Sequence, residues 1–241
     1  MQAARALACL LAGSMILLAH PQHACADGSV IDKIYHPYVQ PMERELELRA
    51  TLEEGGHARL PDRQTWRLGY GQALTDNWFG ELYLIGEQDG LHSFRLSEYE
   101  VEALWQLTEQ GQYAADWGLL FEFATMDSAD RNELATTLLA ETQWQRWTGT
   151  ANLSLAYEYG SDIANELDSE LALQARYRLS KSLEPAVEFY GGEGVLALGP
   201  ILMGDLRLGA GRQLHWEGGL LVGLKDATPD RSYRLLLEYE F

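Results

Sequence analysis

Ser232-Tyr233-Arg234-Leu235-Leu236-Leu237-Glu238-Tyr239-Glu240-Phe241 carries the alternation that recurs through the chain. As an extended strand it places Tyr233, Leu235, Leu237, Tyr239 and Phe241 on one face. Arg234, Leu236, Glu238 and Glu240 fall on the other, since successive side chains of a strand point to opposite sides. One face is apolar and aromatic, and the other carries the charge.

The same parity recurs in the segments before it. From Glu43 onward the sequence divides into about a dozen alternating segments of roughly the length that a tilted membrane strand needs. They lie near 43–53, 64–74, 77–87, 92–107, 113–126, 132–146, 149–159, 168–179, 183–190, 196–208, 213–224 and 231–241. In the fourth, Tyr99, Val101, Ala103, Trp105 and Leu107 alternate with Glu98, Glu100, Glu102 and Gln106. The seventh sets Leu153, Leu155, Tyr157 and Tyr159 against Asn152, Ser154 and Glu158. The eighth sets Leu171, Leu173, Ala175, Tyr177 and Leu179 against Glu170, Gln174, Arg176 and Arg178. Six of the seven tryptophans, Trp66, Trp78, Trp105, Trp117, Trp144 and Trp216, fall on the apolar parity, and Trp147 is read as a turn residue. No run of 18 or more consecutive apolar residues occurs, which excludes helical membrane spans.

A soluble sandwich also alternates, but its apolar face packs a core while its polar face meets water. Here the apolar parity is leucine-rich, with Tyr and Trp near segment ends, which suits lipid bordered by aromatic girdles. Polar inside and apolar outside is what closing a sheet in a bilayer requires, because every backbone group must then pair internally. The terminal stretch resembles the closing strand of a bacterial outer-membrane β-barrel, and that resemblance implies that Tyr233, Leu235, Leu237, Tyr239 and Phe241 are the signal read by the assembly machinery. The fold expected is all-β: a closed antiparallel transmembrane barrel of about 12 strands. The turns at Thr75-Asp76, Ser180-Lys181-Ser182 and Gly209-Ala210-Gly211-Arg212 are short. The alternate connections, Glu54 to Arg63, Gly160 to Leu167, Gly191 to Val195 and Lys225 to Asp230, are longer on average but leave little material for a plug or a head.

The first residues carry Arg5, then an uncharged apolar run from Ala6 to Ala19, then His23-Ala24-Cys25-Ala26. This pattern predicts a secretory signal peptide over 1–26, cleaved after Ala26. Residues 27–42, with Tyr35-His36-Pro37-Tyr38 and Pro41 but no clear period, are expected to be a polar lead-in on the periplasmic side, and 43–241 to be the barrel. Both cysteines fall in the expected signal, so the exported chain has no disulfide. With 18 Lys and Arg against 36 Asp and Glu, nucleic acid is an unfavourable partner, since phosphates need the opposite sign. The partners expected are outer-membrane lipid, the barrel-assembly machinery and small solutes, in the outer membrane of a Gram-negative bacterium.

Catalytic patterns are sparse. Barrel phospholipases and lipid A deacylases place a His-x-Ser pair on one strand face, whereas His92-Ser93 are adjacent and face opposite ways. His57 and His92, with Asp62 and Asp89, suit a solvated rim better than an aspartate–histidine protease site. His215 alternates with Glu217 and suits a hydrogen bond in the lumen. Scattered His and Met give no metal cluster, and no cofactor is expected. Gly191-Gly192-Glu193-Gly194 lacks the following Lys-Ser/Thr and helix of a phosphate loop and reads as a turn.

What remains is the polar parity. The lumen-lining residues expected are Glu98, Glu100, Glu102, Glu122, Glu158, Glu170, Gln174, Arg176, Arg178, Asp205, Arg207, Glu217, Arg234 and Glu238, beside Glu45, Glu47, Glu81, Glu141, Glu188, Glu240 and Arg67. Many of these charges must pair across strands. The surplus of acid favours cations in an open lumen, while a closed salt-bridge network would fill it. The leading expectation is a passive, porin-like channel for small solutes, not an enzyme. A filled barrel with a structural or partner-binding role is the alternative, and a lipid-modifying enzyme or protease the third.

Gly219-Leu220-Leu221-Val222-Gly223-Leu224-Lys225-Asp226-Ala227-Thr228-Pro229-Asp230, running into Tyr233 to Phe241, resembles the final hairpin of the MetA-pathway of phenol degradation family. Lys225 stands where that family usually has Asn. The resemblance covers about the last thirty residues. It implies an outer-membrane barrel passing small solutes and carries no catalytic residues with it.

Overall fold

In the computed structural model, which describes residues 31–55, 62–90, 92–127, 129–161 and 163–241, the last strand pairs with the first. β1 (Arg44–Glu54) lies antiparallel to β12 (Arg231–Glu240), with Leu48 opposite Leu237 and Thr51 opposite Arg234. Between them run β2 (Arg63–Thr75), β3 (Trp78–Asp89), β4 (Arg95–Gln106), β5 (Asp116–Met126), β6 (Arg131–Trp144) and β7 (Trp147–Gly160). β8 (Glu166–Tyr177), β9 (Glu184–Gly192), β10 (Leu196–Gly209) and β11 (Arg212–Gly223) complete the set. Each strand pairs with its sequence neighbours, and the twelve form a closed antiparallel barrel. Closure leaves no sheet edge, so the backbone satisfies itself within the wall.

The alternation sets the two faces. Leu82, Leu134, Leu153, Leu155, Leu202 and Leu235 stand exposed on the outside, with aromatic groups towards both ends. At the end where β1 begins, called here the terminal end, Trp78 stacks on Trp105 at 5.3 Å, Trp147 meets Tyr177 edge-on at 5.0 Å and Tyr239 stacks on Phe241 at 5.6 Å. Tyr157 and Tyr159 stack at 5.9 Å towards the other, distal end. Trp147, expected in a turn, instead opens β7 opposite Trp144, because the tight turn is Gln145-Arg146, with Gln145 at a left-handed φ of 55°. Short turns also join β2 to β3 through Asp76-Asn77 and β10 to β11 through Ala210-Gly211.

The inside is not uniformly polar. On β9, β10 and β11 the inward positions Ala186, Tyr190, Ala197, Ile201, Met203 and Leu221 are buried and form an apolar patch on the lumen wall. Ile31 and Ile34 pack against it, each contributing about 1.5–3 kcal/mol if fully withdrawn from water. These two residues belong to the stretch expected as a periplasmic lead-in. The structure differs there: residues 31–40 run inside the barrel, and at Pro41-Met42 the chain reverses, with Met42 at φ 68°, to return as β1. No period was legible because the segment forms no strand or helix, and each side chain meets a different stave. The loops leave little material for a plug, and the chain ahead of β1 supplies one instead. The expected signal peptide, residues 27–30 and His57 lie outside the described residues.

Candidate functional site

The lumen segment, residues 31–40, climbs from the terminal mouth to beyond mid-barrel. Near the mouth the Val39 amide donates to Gln106 Oε1 at 2.7 Å, and the Tyr38 hydroxyl donates to Asp116 Oδ2 at 2.8 Å. His36 Nδ1 lies 2.6 Å from Glu141 Oε2. Higher up, Asn152 brackets the Tyr35 backbone, accepting its amide at 2.8 Å and donating to its carbonyl at 2.9 Å, while the Tyr35 hydroxyl donates to Glu102 Oε1 at 2.6 Å. The segment is thus held by side chains, and the strand ladders of the wall close without it.

Its two charged residues occupy the centre. Lys33 Nζ donates to Glu47 Oε2 at 2.6 Å and to the Tyr83 hydroxyl at 3.2 Å, with Glu81 at 3.9 Å. It also sits 4.7 Å from the Tyr35 ring centroid and 5.8 Å from that of Tyr83, within cation–π range. Tyr83 is fixed from behind: a Cβ on Gly69, opposite it on β2, would come 2.5 Å from its ring. Asp32 is bound by the Arg49 guanidinium and lies 3.6 Å from Arg67, which donates in turn to Glu100 at 2.9 Å. Arg234 donates to Glu188 and Glu217, each at 2.9 Å, and to the Tyr190 hydroxyl at 2.6 Å, and it also binds the Asp32 carbonyl. Burial works against the charge on Asp32, but Arg49 and Arg67 outweigh it and hold the carboxyl well below the usual range. Burial likewise opposes the Lys33 charge, yet Glu47 and Glu81 prevail and push its pKa up, so the ammonium stays protonated.

Two cavities flank the segment. The distal one, about 200 Å³, is lined by Glu98, Glu100, Glu122, Glu158 and Glu170 among the expected residues, and by Glu133, Asp168 and Glu193. The terminal one, about 420 Å³, is lined by Arg176, Asp205, Glu217 and Glu238, with Glu43, Glu45, Glu81 and Glu240. Lys33 and Tyr35 line both, so they form the partition. Glu102, Gln174 and Arg234 are buried in the wall around the segment, Gln174 donating to Glu188 at 2.9 Å. Arg178 and Arg207 stand apart from this set. Arg178 lies just past β8 and donates to the Gln145 carbonyl, while Arg207 lines an outer recess at the terminal rim with Gln40 and Met42. Of the terminal aromatic set, Tyr233, Leu235 and Phe241 are exposed on the outer face and Leu237 and Tyr239 are half-buried there.

Asp32, Lys33, Tyr35, His36 and Tyr38 are the residues that sequence reasoning missed, along with Arg49, Tyr83 and Tyr190 on the wall. For the wall residues a signal existed, since Arg49 shares parity with Glu45 and Glu47, and Tyr83 with Glu81. The histidines are engaged by carboxylates: His215 by Asp205 at 2.7 Å and Glu217 at 3.2 Å, and His92 by Asp89 at 2.9 Å. Among the described residues, no Ser, Thr or Cys side chain hydrogen-bonds to them. Gly191 and Gly192 end β9, and Glu193-Gly194 turn the chain towards β10, closed by the Gly192 amide on the Val195 carbonyl at 3.0 Å. The loop of the final hairpin is anchored on that turn through Thr228, whose hydroxyl accepts from the Leu196 amide at 2.9 Å.

No family model and no curated protein matches the chain. Solved structures do. The COG4313 outer membrane channel from Pseudomonas putida F1 is similar at a TM-score of 0.59 and 12% identity, over 87% of this chain and 98% of that one. The KdgM porin in complex with disordered oligogalacturonate matches at 0.52 and 12%, over 82% and 98%. The β-domain of the Bordetella autotransporter BrkA matches at 0.54 and 11%, over 84% and 99%. At such identities the likeness is one of fold, and the fold is that of small outer-membrane β-barrels.

Proposed function

We propose that the chain is an outer-membrane channel for small solutes, with an acidic lumen narrowed by its own segment 31–40, and that it is not an enzyme. The terminal end, with its short turns, then faces the periplasm. The observation that carries this reading is the pair of cavities on either side of one segment that contributes nothing to the wall ladders. A plug tied to the wall through side chains, outside the strand ladders, can shift while the barrel stays closed. The charge of the bore supports small cationic or neutral solutes. KdgM is described with oligogalacturonate, a polycarboxylate, and a lumen lined by Glu98, Glu122, Glu133 and Glu170 repels that class.

Planar-bilayer recordings of the refolded chain, with and without residues 31–40, test the proposal. Conductance steps are expected in both, severalfold larger in the deletion. No step in either would remove the channel reading. The well-satisfied contacts of the segment favour a second reading, a filled barrel whose segment serves a structural or partner-binding role, and steps confined to the deletion would select it.

A further inference from the structure

Lys33 is an ammonium seated in a built cage. Arg49 takes Glu47 Oε1, leaving Oε2 for the Lys33 ammonium at 2.6 Å, and Tyr83 donates to Glu81 at 2.7 Å while its oxygen accepts from Lys33. Two tyrosine rings cover the cation. Glu102, opposite Glu81 across β3 and β4 and 2% exposed, keeps a buried carboxyl oxygen, Oε2, with no hydrogen-bond partner. Buried acceptors are normally satisfied, so an unmet one beside an occupied cation cage marks spare capacity for an N–H donor. Lys33 and Tyr35 border both cavities and Glu81 the terminal one, so a solute moving along the bore meets the edge of the cage.

We propose that the lumen cage of Glu47, Glu81, Tyr35 and Tyr83 is a binding site for small primary alkylammonium solutes, which Lys33 of the chain's own segment occupies as a tethered competitor. The inference rests on the channel reading for how a solute arrives, though binding is measured without conductance. Three features select the class. Carboxylate oxygens at hydrogen-bond distance favour an N–H cation over one without donors. The aromatic cover suits a compact ammonium with an alkyl stem. Access through cavities of about 200 and 420 Å³ restricts the ligand to small molecules, excluding a protein lysine or a lipid amine. A tethered competitor lowers the apparent affinity by the fraction of time it holds the site, so the full chain binds weakly until Lys33 is displaced.

The test vacates the cage and refills it. Lys33→Ala removes the equivalent of n-propylammonium, so the refolded full-length variant is titrated calorimetrically with that cation, and its thermal unfolding is followed by tryptophan fluorescence. n-Propylammonium is expected to bind the variant at least about tenfold more tightly than the wild type and to raise its unfolding temperature. 1-Propanol, tetramethylammonium and sodium at equal ionic strength are expected to do neither. Adding Glu47→Gln to the variant abolishes binding. Lys33→Ser, which vacates the same space beside a hydroxyl, replaces the alanine variant if that one does not refold. Equal binding by wild type and variant, equal rescue by 1-propanol, or binding that survives Glu47→Gln would overturn the site. A barrel that binds but never conducts keeps the site and removes the channel reading, and one that conducts without binding does the reverse.

Discussion

Arg234 shows what a single residue does in a lumen. Its side chain is wholly buried, and it joins Glu188 on β9, Glu217 on β11 and the backbone of Asp32 in the segment. Removing one partner of a buried charge set leaves the others uncompensated, so Arg234→Met is expected to cost about 3–5 kcal/mol, read from urea unfolding of the refolded barrel. Replacing Arg234, Glu188 and Glu217 together by apolar residues of similar volume is expected to cost far less, and equal losses in the two variants would contradict this account. Glu43 sits where the segment turns into β1, and its carboxyl is pushed up to about 8 by burial first, then by the charges of Glu240 and Glu238. A carboxyl raised in the folded state stabilises it while protonated. That contribution is complete below the ordinary value of 4.5 and is lost as pH climbs through about 8. The urea midpoint of the wild type is therefore expected to fall more between about pH 5 and 9 than that of Glu43→Gln, and parallel curves would refute the assignment. Asp32 behaves oppositely. Its depressed pKa gives a contribution that is full above 3.8 and lost only as pH falls through strong acid, so its hold on Arg49 persists in mild acid.

At the scale of elements, β12 closes the wall. Its ladder with β1 runs from Glu45–Glu240 to Glu54–Arg231, and the Phe241 amide extends it by donating to the Arg44 carbonyl at 2.8 Å. Phe241 is exposed and stacks on Tyr239, a position where its ring adds little to a packed core. Phe241→Ala is thus expected to leave the intrinsic stability of the refolded barrel nearly unchanged. It is also expected to lower the amount of folded barrel in outer membranes, with export across the inner membrane intact. Wild-type levels of folded barrel would overturn the role of the aromatic terminus in assembly. The strands were legible in the sequence because a half-buried strand repeats every two residues, and the parity of Tyr99 to Trp105 in β4 and of Leu171 to Tyr177 in β8 is kept in the structure, while Leu107 and Leu179 fall just past the strand ends. Segment 31–40 was not legible for the complementary reason. Ile31 and Ile34 face an apolar wall assembled from Ala197, Ile201 and Leu221, Lys33 faces β1 and β3, and Tyr35 faces β4 and β7. Such contacts are set by the closed barrel and leave no local period. The apolar wall carries no separate signature either, because Ile201 and Met203 share the parity of Asp205, and Leu221 that of Glu217.

For the whole molecule the decisive quantity is the sign of the field along the bore. The chain carries a formal charge of −18, but an outer surface that faces lipid is apolar, so much of that charge lines the lumen and the loops. Within the distal cavity the cations are already engaged, Arg67 by Glu100 and Asp32, and Arg131 by Glu158. Glu98, Glu122, Glu133 and Glu170 have no ion pair there among the described residues, and in the proposed channel a narrow bore with low-dielectric walls would concentrate the field of these carboxylates. Screening acts over about 10 Å at 0.1 M salt and about 3 Å at 1 M, so the field spans the bore in dilute salt and is largely erased in concentrated salt. A reversal potential favouring potassium over chloride is therefore expected across a dilute potassium chloride gradient, weakening as both sides approach about 1 M. Changing the four glutamates to glutamine is expected to remove the preference while retaining conductance, because the segment's own contacts with Glu47, Glu102 and Glu141 are untouched. A preference unchanged in that variant would place the selective charge elsewhere, and chloride selectivity in the wild type would contradict the acidic-lumen reading outright.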